Sequence, residues 1–293
     1  MVPEESTPEL PCHELSLVVP VYQGEKTLGA LIDEIAPLTS PQTTAKGRRF
    51  RVAEVLLVHD GGPDASAGVM KRLAGEHRFV RPLWLSRNFG QHPATLAGMA
   101  STVSPWVVTL DEDGQQDPRD VGALLDTALD HSMRLVYARP ANPPPHGALR
   151  NAASSLAKWV AVRLLGIQVG TFNSFRLIEG EVARGVAAYC GANVYLDVAL
   201  SWVVGSSAHC SVTLREERGR RSGYTFQRLF RHFWQLVLAS GTRPLRFISL
   251  VGMVAVVGSF LFSAVQVYRR LHQEIPVPGW TSTIIMKCML SGL

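Results

Sequence analysis

The chain has 293 residues, of which 46% are hydrophobic and 18% charged, and it carries a formal net charge of +5. That length allows one large α/β domain with a full core, or two small ones, while a mean hydropathy of +0.11 is high for a soluble enzyme and points to membrane-embedded sequence. The four cysteines, Cys12, Cys190, Cys210 and Cys288, lie far apart with no Cys-x-x-Cys, so neither a zinc site nor a disulfide framework is indicated.

Residues 1–14 are polar and proline-bearing with no apolar stretch, which excludes a secretory signal there and predicts a disordered N-terminus. From residue 15 to about 139, short β-rich apolar runs alternate with helical patterns. Strands are expected at Leu15–Pro20, Val52–His59, Val80–Leu85, Trp106–Leu110 and Arg134–Ala138, and helices near 25–36, 64–74, 90–101 and 118–130. Such alternation predicts a mostly parallel sheet covered on both faces. Ligands of such sheets bind at the carboxyl ends of the strands, where Tyr22, Asp60, Arg87 and Asp111 fall. No Gly-x-Gly-x-x-Gly follows the first strand, which disfavours a dinucleotide-dependent dehydrogenase. Residues 140–214 open with a proline-rich loop (Pro140, Pro143, Pro144, Pro145), continue into a helix-like stretch from Ala148 to Leu165 and end in a mixed pattern. Residues 15–214 are read as one domain.

The remainder differs in kind. Phe226, Leu229, Phe230, Phe233, Trp234, Val237 and Leu238 recur at helical spacing, with Arg228, Arg231, His232 and Gln235 between them, the pattern of a basic amphipathic helix lying on a membrane surface. Phe247 to Val267 then runs 21 residues without a charge, long enough to span a bilayer. A second apolar run from Trp280 to Leu293 is interrupted by Lys287 and is too short to span, so a truncated second helix is expected. Residues 215–244 are thus read as a basic loop plus interfacial helix, and 245–293 as the membrane region. Arginines 215, 218, 220, 221, 228, 231, 243 and 246 precede the span, which places that side in the cytoplasm, although Arg269 and Arg270 weaken the asymmetry. The basic charge sits beside an apolar span and not among aromatic stacking motifs, so lipid rather than nucleic acid is the expected partner.

Chemistry concentrates in Trp106-Val-Val-Thr-Leu-Asp-Glu-Asp-Gly-Gln-Gln-Asp-Pro118. Alternate residues of a strand share a face, so Asp111 and Asp113 are expected to point the same way. Two converging carboxylates repel unless a cation lies between them, and hard oxygen ligands suit Mg²⁺ or Mn²⁺. An Asp-x-Asp by itself is also an ordinary solvated turn, so this reading depends on the rest of the chain.

Five segments occur in order: Val19-Pro-Val-Tyr-Gln-Gly-Glu25, Val58-His-Asp-Gly-Gly-Pro-Asp64, Leu85-Ser-Arg-Asn-Phe-Gly90, Leu110-Asp-Glu-Asp-Gly-Gln115 and Gly219-Arg-Arg-Ser-Gly-Tyr-Thr225. Together they resemble the family 2 glycosyltransferases, in the polyprenyl-phosphate branch that resembles dolichol-phosphate mannose synthase and carries C-terminal membrane helices. The resemblance implies a GT-A fold, a UDP- or GDP-linked sugar donor, an undecaprenyl or dolichyl phosphate acceptor, and an inverted product made at the inner membrane with the catalytic domain facing the cytoplasm. It assigns Asp113 as the main metal ligand, with Gln115 as a second and Asp111 acting through water or on the ribose. Pro20, Tyr22, Glu25, Asp60 and Arg87 would bind the nucleotide-sugar. Arg139, Arg150 and Ser154 would hold the acceptor phosphate, and residues at i and i+4 share a helix face, which lets Arg150 and Ser154 grip one anion. The catalytic set is then Asp113, Arg139 and Arg150. Arg218, Arg221, Ser222 and Tyr224 would form a loop over the donor, a basic face for lipid heads, or both. Related enzymes with few membrane helices sometimes assemble through them, so a homo-oligomer belongs to the expectation.

The chain departs from the family pattern at four places. His59 and Gly62 stand where Asp-Asp-Gly-Ser is typical, Glu112 where alanine is frequent, and Asn173-Ser174 where Gly-Asp is common. Glu112 is expected to face away from Asp113 into solvent. Two other readings stay open. One is a family 2 transferase acting on a saccharide hydroxyl, which needs a base that Asp197 or Glu179 could supply. The other is a non-catalytic membrane scaffold built on a degenerate transferase domain.

Overall fold

The computed structural model describes residues 11–141, 173–191, 194–215 and 243–272, together with 283, 286 and 287. The first strand shows how the core forms. In β1 (His13–Val21) Leu15, Leu17, Val19 and Val21 point to one side and Val18 to the other, and all are fully buried. A strand apolar on both faces belongs inside a sheet covered by helices. β1 pairs in parallel with β3 (Arg49–His59) and β5 (Trp106–Thr109), and β3 pairs in parallel with β4 (Val80–Trp84). The two-residue β2 (Gln42–Thr43) borders β3 antiparallel. Beyond β5 the order continues through β7 (Arg176–Glu179), β6 (Leu135–Pro140) and β8 (Ala208–Val212). β7 is antiparallel to both neighbours, and β8 runs parallel to β6. The carboxyl ends of β1, β3, β4, β5, β6 and β8 therefore share one edge of the sheet.

The helices divide between the two faces. α1 (Leu28–Ile35), α2 (Ser66–Glu76) and α4 (Val121–Asp130) bury Leu28, Ile32, Met70, Leu124 and their neighbours against the Leu15–Val21 side. α3 (Gln91–Ala100), α5 (Gly180–Tyr189) and α6 (Leu196–Val204) bury Met99, Val182, Val186 and Leu200 against Val18, Leu56 and Val58. Each such side chain stabilises by about 1.5–3 kcal/mol relative to exposure. The expected strands and helices of residues 15–139 are all present. The mixed pattern beyond residue 172 resolves into β7, α5, α6 and β8.

α7 (Arg243–Leu271) stands apart. Its segment Ile248–Arg269 has 22 residues and a mean hydropathy of 2.3, with only 6% of the apolar window buried. At 1.5 Å per residue it is about 33 Å long, enough for a hydrocarbon core of about 30 Å. An apolar helix so exposed is not acting as a core helix of the sheet domain.

Candidate active site

β5 stops at Thr109, so residues 111–113 lie in a turn and strand alternation does not govern them. Glu112, expected in solvent, instead reaches back to the first loop. Its Oε2 accepts the Tyr22 N–H at 3.0 Å and its Oε1 the Gln23 N–H at 2.9 Å. Asp111 is gripped on both oxygens. Oδ1 accepts from Gln91 Nε2 at 2.5 Å, and Oδ2 from the Ser174 hydroxyl at 2.5 Å and Gln116 Nε2 at 3.0 Å. Burial pushes the Asp111 carboxyl up to about 6; the Ser174 hydroxyl, Arg176 and Gln116 pull it down, while the neighbouring Asp113 charge adds to the rise. Asp113 is the less committed of the two, its Oδ1 accepting, among the described residues, only the Gln115 N–H at 3.0 Å. Gln91 and Gln116 were not legible as site residues, since a glutamine carries no chemistry of its own to flag it.

Three loops at the carboxyl edge are fastened to one another. Asp60 is buried, and its oxygens accept the Phe89 N–H at 2.7 Å and the Gly90 N–H at 2.8 Å. Asp60 thus anchors the start of α3. Glu25 N–H donates to Asp64 Oδ2 at 3.1 Å, while Ala65 N–H donates to Glu25 Oε2 at 3.4 Å. Burial acts to raise the Asp64 pKa, but the Ser66 hydroxyl and the Glu25 and Ser66 amides outweigh it and hold the carboxyl below its ordinary value. The glycine pair is sterically obligatory. A Cβ on Gly62 would fall 1.7 Å from the Tyr22 carbonyl oxygen, and one on Gly61, at φ +63°, would fall 2.7 Å from Asn88 N. Tyr22 is 40% exposed, as befits a stacking surface, whereas Pro20 is buried within β1 and shapes the strand end. Arg87 is exposed, with its guanidinium 4.8 Å from the Phe89 ring centroid.

On the other flank, register aligns the strands. Thr109, Arg176 and Tyr137 lie abreast on β5, β7 and β6, and the exposed Arg139 lies two residues further along β6. Ser174, two residues before Arg176, donates its hydroxyl to Asp111 Oδ2. Asn173 steadies this bridge by donating to the Ala138 carbonyl at 2.8 Å. Beneath it, Arg176 and Asp197 form an ion pair with both side chains under 5% exposed. Arg176 Nε also donates to Thr109 Oγ1 at 3.0 Å, and the Tyr137 hydroxyl donates to Asp197 Oδ1 at 3.1 Å. Glu179 sits opposite Trp106, at the far edge of the sheet, and pairs with Arg134. Neither carboxylate raised above as a general base is presented to the acidic turn. Arg150, Ser154, Arg218, Arg221, Ser222, Tyr224 and the amphipathic pattern at 226–238 lie outside the described residues.

Residues 16–174 match the profile of glycosyl transferase family 2. The chain is 27% identical over 263 residues to the undecaprenyl-phosphate 4-deoxy-4-formamido-L-arabinose transferase of Salmonella choleraesuis (strain SC-B67), covering 89% of this chain and 78% of that protein. The protein of that name from Yersinia pestis (strain Pestoides F) is 27% identical over 264 residues, with the same coverage. In structure the chain is similar to glucosyl-3-phosphoglycerate synthase from Mycobacterium tuberculosis, crystallised with Mn²⁺ and UDP-glucose, at a TM-score of 0.56 and 19% identity, covering 79% of each chain. It is also similar to mannosyl-3-phosphoglycerate synthase from Rubrobacter xylanophilus, at a TM-score of 0.56 and 18% identity, covering 81% and 75% of the two chains. The structural likenesses establish the GT-A-like fold, and the profile establishes the lineage: this chain belongs to glycosyl transferase family 2 and is a glycosyltransferase.

Proposed function

We propose that this glycosyltransferase is membrane-associated and metal-dependent, and moves a sugar with inversion from a UDP- or GDP-linked donor to a polyprenyl phosphate at the cytoplasmic face of the inner membrane. The observation that carries the choice of acceptor is the position of Asp197 and Glu179. Attack by a sugar hydroxyl needs a base within hydrogen-bond reach, and both candidates are ion-paired away from the turn. A phosphate nucleophile is anionic near neutral pH and needs little such help. The names of the relatives agree with a lipid-phosphate acceptor, and α7 supplies a helix apolar enough to keep the domain at a bilayer.

The residues present fit a hard divalent cation. Among the described residues Asp113 Oδ2 has no hydrogen-bond partner, and burial together with the Asp113 charge raises the Asp111 pKa, a state that a cation would relieve. Mg²⁺ or Mn²⁺ is commonly held by one or two carboxylates and completed by substrate phosphates. Asp113 and Gln115 would hold the ion, which when bound neutralises charge on the departing diphosphate. The chain's own residues do the rest. Tyr22 offers its ring to the base, the Glu25–Asp64 pair and Glu112 fix the loop beneath it, and Arg87 stands near the start of α3 where phosphate is favoured. Arg139, exposed near the carboxyl end of β6, with Arg150 and Ser154, would orient the acceptor phosphate against the donor's negative charge. Arg218, Arg221, Ser222 and Tyr224 would close over the donor.

Incubating the protein with undecaprenyl phosphate and a panel of UDP-, GDP- and dTDP-sugars tests the reading. Lipid-dependent release of one nucleoside diphosphate is expected, and release only with a saccharide acceptor would overturn it. Arg150→Ala is expected to raise the apparent KM for lipid phosphate and lower kcat, with donor affinity unchanged and Lys intermediate. A charge-assisted bond of roughly 1.5–3 kcal/mol sets the loss at about ten- to a hundredfold. Glu112→Ala frees the Tyr22 and Gln23 amides and is expected to raise the KM for the donor about tenfold, leaving the KM for the lipid in place. Unchanged donor kinetics would remove Glu112 from the donor loop's support.

A further inference from the structure

Just beyond β8 (Ala208–Val212) the chain meets the acidic turn. β8 ends at Val212 on the carboxyl edge, since it runs parallel to β6 and β7 opposes both β5 and β6. Three residues later the Arg215 N–H donates to the Gln115 carbonyl at 2.9 Å. The same residue's guanidinium reaches Glu34 Oε2 of α1 at 2.7 Å through Nη1 and Asp117 Oδ2 at 2.7 Å through Nη2. Asp117 in turn accepts the Arg119 N–H and guanidinium and so starts the turn into α4. Although burial works to raise the Asp117 pKa, Arg119 and Arg215 hold it down at about 2. Gln115 is consequently fastened on both sides: its N–H is on Asp113 and its carbonyl on Arg215. Arg215, counted in sequence among the arginines bordering the membrane, is committed here to the sheet domain.

We propose that Arg215 is a positioning residue for the donor diphosphate site. It holds the Asp113–Gln115 peptide in its receiving geometry and ties that geometry to the strand on which the chain continues toward α7. The inference rests on the nucleotide-donor reading above. A purely structural arginine with partly exposed partners would shift global stability slightly and leave binding alone, so binding and melting separate the two roles.

The test uses the full chain in detergent, comparing wild type with Arg215→Ala, Arg215→Lys and Glu34→Ala. Three readouts are taken: calorimetry with UDP and GDP in Mn²⁺, amide hydrogen exchange across 113–117, and thermal melting. Arg215→Ala is expected to weaken Mn²⁺-dependent nucleotide binding at least about tenfold, the scale of lost charge-assisted bonds. Melting should fall by less than about 4 °C, and exchange should speed up at 113–117 while the core strands stay protected. Lys, which keeps the charge but loses the fork, should recover part of the affinity, and Glu34→Ala should show a smaller loss. Unchanged nucleotide affinity in Arg215→Ala overturns the proposal, as does a loss that only tracks melting with Lys no better than Ala. If wild type binds neither nucleotide, the donor reading itself has failed, and unaltered exchange at 113–117 in Arg215→Ala then overturns the positioning role on its own.

Discussion

Replacing Asp113 with alanine is expected to abolish sugar transfer while leaving the fold intact. Asp113 sits in a turn outside both buried clusters, and its one recorded bond is local, to the Gln115 N–H. Its removal therefore disturbs no core packing. What is lost is countercharge where a nucleoside diphosphate departs, and preorganised electrostatic stabilisation of that kind contributes several kcal/mol. A loss of about 4 kcal/mol corresponds to roughly a thousandfold in rate. The measurement is single-turnover transfer with added Mn²⁺ alongside a melting curve. Activity within tenfold of wild type, or full activity in EDTA, would remove Asp113 and the cation from the mechanism together.

The largest stability effect is expected at Asp197. Its removal leaves the Arg176 guanidinium buried and unpaired, and breaking a buried pair on one side costs about 3–5 kcal/mol. For a domain of this size that lowers the melting temperature by roughly 6–20 °C. The paired change Arg176→Met with Asp197→Leu should recover most of the loss, because an apolar pair of similar volume replaces a desolvated ion pair at little net cost. Transfer to lipid phosphate by that double variant is expected to persist. If Asp197→Ala melts like wild type yet loses turnover with a saccharide acceptor, Asp197 is a base and the hydroxyl-acceptor reading prevails.

The contrast between Asp113 and Asp197 also marks how far the sequence could be read. β1, β3, β4, β5 and β6 are legible to within three residues because each is a short, largely apolar, β-rich run, and their shared carboxyl edge follows from the alternation of strand and helix. β7 is not legible. It has four residues, begins with an arginine, and is stable inside the sheet because Asp197, 21 positions later, neutralises that arginine; no local pattern records such a partner. Glu112 differs from expectation because strand periodicity does not extend to it, three residues past the end of β5 at Thr109. Asp60 falls at a ligand-binding edge by topology, yet the amides at the start of α3 claim it first. Tertiary partners, which composition and spacing do not encode, account for each of these differences.

The contact between Gly62 and the Tyr22 carbonyl carries an evolutionary consequence. Where the family pattern has a serine, this backbone leaves no room for any side-chain atom, since a Cβ would lie 1.7 Å from that oxygen. A single Gly62→Ser change is therefore a collision and not a restoration. The Tyr22 loop would have to retreat first, but Glu112 tethers its amides and Asp64 tethers Glu25 just beyond. The departures at positions 62 and 112 are epistatic. Grafting the family's serine onto this scaffold requires releasing the loop in the same step, so the donor pocket can be redesigned only as a block of coordinated substitutions.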